Sequence, residues 1–220
     1  MPVFLNATDP NFEAEFQTLL SAKREDSPDV DQVVADIIAD VRARGDAALL
    51  EYTERFDRLT LTSETLRLSG AEIAAEIQKV APEDRAALEL AAERIRAYHA
   101  EQMPQDAWWK DASGAELGWR WTPVSAAGLY VPGGLATYPS SVLMNAIPAK
   151  VAGVERLAIT VPTPDGTINP LVILAAELAG VDEIYRIGGA QAIAALAYGT
   201  SSVAPVDKIT GPGNAFVAAA

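Results

Sequence analysis

Ala152-Gly153-Val154-Glu155-Arg156-Leu157 recurs 27 residues later as Ala179-Gly180-Val181-Asp182-Glu183-Ile184, and a weaker echo, Val206-Asp207-Lys208-Ile209, follows 25 residues after that. Each copy reads as a helix end feeding a strand. Glycine closes the helix in a left-handed cap, valine begins the return, and an acidic residue marks the turn. The β-rich runs Leu157 to Val161, Ile184 to Ile187 and Lys208 to Thr210 come next. A spacing of about 26 residues matches one βα unit of a doubly wound parallel sheet, in which right-handed crossovers place helices on both faces. The segments between, Leu171 to Leu178 and Ala190 to Ala197, are apolar almost all round and should be buried on more than one side. The fold class is therefore α/β, a Rossmann-like doubly wound parallel sheet, preceded by a helix-rich region.

Glycine-rich runs stand where apolar strands give way to helices: Gly128-Leu129-Tyr130-Val131-Pro132-Gly133-Gly134, Gly188-Gly189-Ala190-Gln191 and Gly211-Pro212-Gly213-Asn214. Glycine suits positions where the backbone takes positive φ or lies close against a ligand. In an open parallel sheet the carboxyl ends of the strands face a shared crevice, and helix N-termini there offer unpaired amides to phosphates. Tyr130 should leave a strand at that edge, with Pro132-Gly133-Gly134 leading to a helix capped near Ser140 or Ser141. Gln191 falls in the first turn of another helix and Asn214 at the start of the last. A phenol and two carboxamides are groups that fix ribose, nicotinamide or adenine edges without adding charge. Spacing alone is weaker evidence, because no G-x-G-x-x-G is present and the Gly211 run taken singly also fits a plain turn. Three such runs at successive strand ends point to a dinucleotide-type site.

Upstream of residue 123 the pattern is helical. Asn11 to Lys23 forms a first helix, and Lys23-Arg24-Glu25-Asp26 a charged connector. Ser27-Pro28 opens a second helix with Val30, Val33, Val34, Ile37, Ile38 and Val41 at helical spacing until Gly45. A third covers about Asp46 to Phe56, a short strand Leu66 to Leu68, and further helices 71–79 and 82–102, the last with Leu88, Ala91, Ala92, Ile95 and Tyr98 on one face. The organisation expected is an N-terminal helical arm over 1–25, a helix-rich region over 26–122 ending in a hairpin, and a Rossmann-like domain over 123–220.

The net charge of −13 is concentrated early: residues 1–122 hold 24 Asp and Glu against 13 Lys and Arg, and residues 123–220 hold 6 against 4. An acidic surface without a basic stripe repels phosphate backbones, which argues against nucleic acid as a partner. No apolar run approaches the roughly 18 to 20 residues that span a bilayer, and no signal peptide opens the chain, so no membrane role and a cytoplasmic location are expected. Zero cysteine removes thiolate nucleophiles, disulfides and Cys-type zinc sites. His99, the single histidine, lies at the margin of an apolar helix face without partners for a metal site, and is left without a role. Asp165 and Asp207 sit beside turns, where capping and solvation account for them. Trp108, Trp109, Trp119 and Trp121 flank Ser113-Gly114 and suggest a β-hairpin, Trp119 and Trp121 sharing a face. They could wall a ring-shaped ligand; the favoured reading is an apolar cover over the junction between regions.

Gly128 to Gly134, Tyr138 to Met144, Gly188 to Thr200 and Val206 to Asn214 closely resemble the histidinol dehydrogenase family, and the looser resemblance extends over the connector, the Arg42 to Ala48 segment and the tryptophan hairpin. The resemblance implies oxidation of L-histidinol through L-histidinaldehyde to L-histidine with NAD, an aldehyde-dehydrogenase-like fold with incomplete Rossmann-like domains, a homodimer and one zinc per site. It also implies that the NAD contacts fall on Tyr130, Gln191 and Asn214. The zinc ligands and the acid/base pair of the family lie beyond the glycine-proline-glycine-asparagine motif, so no catalytic or metal residue is expected within these 220 residues. Hydride transfer from an alcohol needs a base at the hydroxyl proton, and no second histidine is available. The chain reads as the N-terminal portion of a larger enzyme, inactive alone. Two alternatives stay open: a relative oxidising another polar alcohol, and a non-catalytic nucleotide-binding module.

Overall fold

The computed structural model describes residues 4–22, 28–133 and 138–220. The expected Lys23 to Asp26 connector, the Ser27 cap and Gly134 lie outside the described residues. The chain opens with helices α1 (Phe12–Ala22), α2 (Pro28–Arg44), α3 (Asp46–Asp57), α4 (Gly70–Ile77) and α5 (Pro82–Ala100). A hairpin of β1 (Ala107–Lys110) and β2 (Glu116–Trp119) follows, then an alternating run: β3 (Ala126–Tyr130), α6 (Pro139–Val151), β4 (Arg156–Thr160), α7 (Pro170–Ala179), β5 (Glu183–Tyr185), α8 (Gly189–Tyr198), β6 (Lys208–Thr210) and α9 (Ala215–Ala219).

Among the described residues β3 to β6 form one parallel sheet in the order β5-β4-β3-β6. The first two crossovers step outward from β3 to β4 to β5, and the third returns past β3 to lay β6 on its other side. The winding therefore reverses between β3 and β6, the place where an open α/β sheet leaves a crevice at its carboxyl edge. Helices α6 and α7 cover one face with α4 and α5 outside them, while α8 covers the other with α2, α3 and α9 against it.

The repeat that predicted the sheet has a concrete structural basis. Gly153 and Gly180 sit at φ 93° and 76°, ending α6 and α7 as left-handed residues. Asp182 and Asp207 extend the ladders below the strands. Leu157 N–H donates to the Asp182 carboxylate at 2.8 Å while Asp182 N–H donates to the Leu157 carbonyl at 2.9 Å, and Ala126 and Asp207 make the same exchange at 2.9 and 3.0 Å. Asp182 and Asp207, the acidic residues of the second and third copies, thus each satisfy a strand-entry amide that would otherwise lack a partner.

The helix-rich and βα stretches share their cores. Leu68, Ile77 and Ala92 pack with α6, α7, β3 and β4; Leu49, Leu61 and Leu66 pack with Tyr130, Tyr185 and α8; Val34, Ile37, Val41 and Ala48 pack with Ala190 and Ala194. Burying each such Leu, Ile or Val is worth roughly 1.5–3 kcal/mol. Both α7 and α8 are enclosed as their composition predicted, α8 from Ala190 through Leu196.

Four local expectations are corrected. Leu66 to Leu68 is not a strand but a single antiparallel bridge of Arg67 to Tyr185, flanked by Leu68 N–H to Ile184 and Arg186 N–H to Leu66 bonds, which closes the outer edge of β5. Helix α6 starts at Pro139 without a side-chain cap, placing Ser140 and Ser141 inside its first turn: proline presets φ at the first helical position, and the residue before it, Tyr138, makes no side-chain capping bond. Tyr98 is 64% exposed, since the buried stripe of α5 runs through Leu88, Ala91, Ala92 and Ile95 and turns away before it. The hairpin forms, but Trp108, Trp109, Trp119 and Trp121 are 70, 45, 51 and 60% exposed, and Trp121 lies beyond β2. Rather than cover a junction, the indoles pack on each other, Trp109 edge-on to Trp119 at 5.2 Å.

Candidate functional site

A cleft of about 630 Å³ opens at the carboxyl edge of the sheet, and Tyr130, Gln191 and Asn214 all line it. Each is delivered by a different junction: Tyr130 by the last residue of β3, Gln191 by the first turn of α8, Asn214 by the residue that caps α9. The winding reversal between β3 and β6 brings the three junctions together.

Steric fit at the strand tips explains the glycines. Pro162, just past β4, sits between the loops that follow β3 and β5: a Cβ on Gly133 would lie 2.7 Å from its carbonyl, and one on Gly188 would strike its ring. Gly211 has φ 138° and its missing Cβ would run into the Tyr130 carbonyl, so the chain leaving β6 passes directly against the end of β3. The motif is thus a required close approach and not a plain turn.

Tyr130 is 6% exposed, and its hydroxyl accepts the Gly189 N–H at 3.2 Å. The first N–H groups of a helix have no partner within it, so Tyr130 satisfies one of them and keeps its own O–H to donate. Burial pushes the phenol above its ordinary range, with the Gly189 amide opposing and the nearby Asp57 charge reinforcing the shift, so the group stays neutral. Gln191 is 1% exposed, and its Oε1 is buried without a hydrogen-bond partner. An orphaned carboxamide oxygen in a native core costs about 1–3 kcal/mol and calls for a donor from outside. Asn214 is exposed; its Oδ1 accepts the Val217 N–H at 3.1 Å, which leaves the Nδ2 amide to face the cleft's contents.

The helix-rich stretch supplies the opposite wall. Val33 and Ile37 come from α2, and Tyr52, Phe56 and Asp57 from α3. Sequence reasoning placed the whole site in the βα stretch and missed these residues, as well as Pro162. A signal existed for one of them: Asp57 ends a helix, where an acidic residue opposes the dipole.

The residues set aside earlier have ordinary roles. Asp165 accepts a two-pronged bond from Arg58, whose Nε lies 2.7 Å away, and Asp207 holds β3 as described. His99 Nδ1 lies 2.6 Å from Gln102 Oε1, on the far side of α6 and α7 from α8. Among the described residues no group of three or more His, Cys, Asp or Glu side chains could hold a metal ion, and no helix is long and apolar enough to cross a membrane.

Comparison with known proteins adds a family. The histidinol dehydrogenase family model matches residues 20–220. Over all 220 residues the chain is 74% identical to histidinol dehydrogenases of Ruegeria pomeroyi and Cereibacter sphaeroides, covering 51% of each. The crystal structure of histidinol dehydrogenase from Elizabethkingia anophelis superposes with a TM-score of 0.85 at 36% identity, over 94% of this chain and 48% of that one. The chain spans about half the length of the curated relatives it matches.

Proposed function

The chain belongs to the histidinol dehydrogenase family, and from that premise we propose that it is the NAD-binding part of an enzyme that oxidises L-histidinol to L-histidine. The observation that carries this reading is the meeting of Tyr130, Gln191 and Asn214 at one cleft beside the winding reversal. The donor set suits a dinucleotide: an O–H, a primary amide and the amides of the first turn of α8 can bond ribose, carboxamide and pyrophosphate. When bound, NAD supplies the acceptor for the hydride that leaves the alcohol carbon.

In this account the protein's own side chains position and desolvate. Tyr130 and the opening of α8 form one rigid unit, so the pyrophosphate meets preorganised amides. The Gln191 carboxamide, held in the core by its neighbours along α8, gains a donor for its orphaned oxygen only when the cofactor arrives. Val33, Ile37 and Phe56 line the helical wall and exclude water from the ring that is bound. Among the described residues no cluster could hold the zinc implied by the family, and no described residue is given the removal of the substrate's proton. We assign both to the remainder of a full-length, cytoplasmic homodimer; the shared name of the relatives favours histidinol over another polar alcohol. The test is to supply the full-length protein with histidinol and NAD and to follow NADH and histidine together. Two NADH per histidine are expected. Absence of turnover by a folded, metal-loaded protein with NAD bound would remove histidinol as the substrate.

A further inference from the structure

Asp57 lines the same cleft as Tyr130, Gln191 and Asn214, and nothing above gives it work. Three features make its position costly. It is the last residue of α3, where the helix dipole disfavours an anion. Its Oδ2 is buried with no hydrogen-bond partner. The adjacent guanidinium, Arg58, which caps the end of α3 in a left-handed conformation, sends both prongs to Asp165 instead. Arg55, another cleft residue, stacks over Phe56 at 5.3 Å. Burial accordingly pushes the Asp57 carboxyl up, with only the Arg58 charge opposing. Stability alone gives no reason to hold a carboxylate there, so a ligand is the natural beneficiary.

A carboxylate accepts hydrogen bonds and donates none, and one lacking a cation repels phosphate. Within a dinucleotide, the groups it can take are therefore paired neutral O–H donors. Resting on the reading of the cleft as a dinucleotide site, we infer that Asp57 holds a vicinal ribose diol of the bound cofactor, as a positioning contact additional to Tyr130, Gln191 and Asn214. Either ribose has this chemistry, and the test separates them.

The full-length protein is titrated calorimetrically with NAD and NADP as wild type, Asp57→Asn and Gln191→Ala, each variant's fold being checked by thermal melting. A charge-assisted hydrogen bond predicts roughly tenfold or greater weakening of NAD by Asp57→Asn. If NADP binding is unchanged or improved by the substitution, the diol is that of the adenosine ribose, which carries the extra phosphate; equal weakening of both assigns the other ribose. Independently of any variant's folding, NAD lacking the 2′-hydroxyl on one of its riboses should bind wild type about tenfold more weakly. Retention of full NAD affinity by Asp57→Asn, or by both deoxy analogues on wild type, overturns the inference; if Gln191→Ala still weakens NAD, the dinucleotide reading survives it. A wild-type protein that binds neither nucleotide overturns both.

Discussion

The Tyr130 hydroxyl accepts the Gly189 N–H at 3.2 Å, tying the tip of β3 to the opening turn of α8, two segments 59 residues apart. The bond joins a strand end to the helix that crosses to its far side, and both residues line the cleft. Tyr130→Phe keeps the ring in its apolar cluster but leaves the Gly189 amide unpaired. Expected is a loss of about 1 kcal/mol in stability by urea denaturation and of fivefold to tenfold in NAD affinity of the full-length protein.

Gln191→Ala and Asn214→Ala should each weaken NAD about fivefold to tenfold, with little change in zinc content measured by atomic emission. Asn214 also caps α9, so its alanine variant should lose a further 0.5–2 kcal/mol or so of local stability. Asn214→Asp separates the roles, keeping the Oδ1 acceptor for Val217 and discarding the amide donor: near-normal melting with weakened NAD is the expected pair of results.

Gly211→Ala forces a Cβ into the Tyr130 carbonyl at φ 138°, and should cost more than about 2 kcal/mol. Gly70→Ala, at the first position of α4 with no atom within 4 Å, should be neutral or slightly stabilising. Equal melting temperatures for the two variants would show that β6 does not press on β3 as described.

Asp46 at the head of α3 accepts the Ser202 hydroxyl at 2.6 Å and the Ser202 N–H at 3.2 Å, joining the helical layer to the loop after α8. Burial raises its carboxyl, but bonds from Ser202, Thr200 and Ser63 together outweigh that and hold it below its ordinary value. A lowered folded pKa means stability that is present above the unfolded value of about 3.9 and lost as pH falls through the folded one. Asp46→Ala should therefore destabilise at pH 7, with the gap from wild type closing below about pH 4. Asp57, shifted upward chiefly by burial, has the opposite sign. Its charge penalises the fold above its raised pKa, so Asp57→Asn should stabilise the ligand-free protein at pH 7, and that gain should vanish below about pH 4. Melting curves across this range check both.

Why some of this was legible and some not is a matter of range. Gly153 and Gly180 end helices within one βα unit, and Asp182 and Asp207 recur at a fixed place before their strands, so their spacing carried the sheet and its period, although the bonds those carboxylates make reach back to Leu157 and Ala126, 25 and 81 residues away. Tyr130, Gln191 and Asn214 share an edge because every parallel strand ends there, and their position followed from the same pattern. Pro162, Phe56 and Asp57 reach the cleft through packing between distant segments, which no local period encodes. The tryptophans gave a hairpin from composition and turn chemistry, yet their exposure depends on what lies against them, which composition does not encode.

The most direct test of the central claim, that three strand-tip junctions build one dinucleotide site, is an NAD titration of the full-length protein beside its Gln191→Ala/Asn214→Ala double variant. Saturable binding to the wild type is expected, one NAD per protomer, with a loss of roughly 25-fold to 100-fold in the double variant, from two hydrogen bonds of about 1 kcal/mol each. Undiminished affinity in a double variant that melts normally would place the cofactor elsewhere and contradict it.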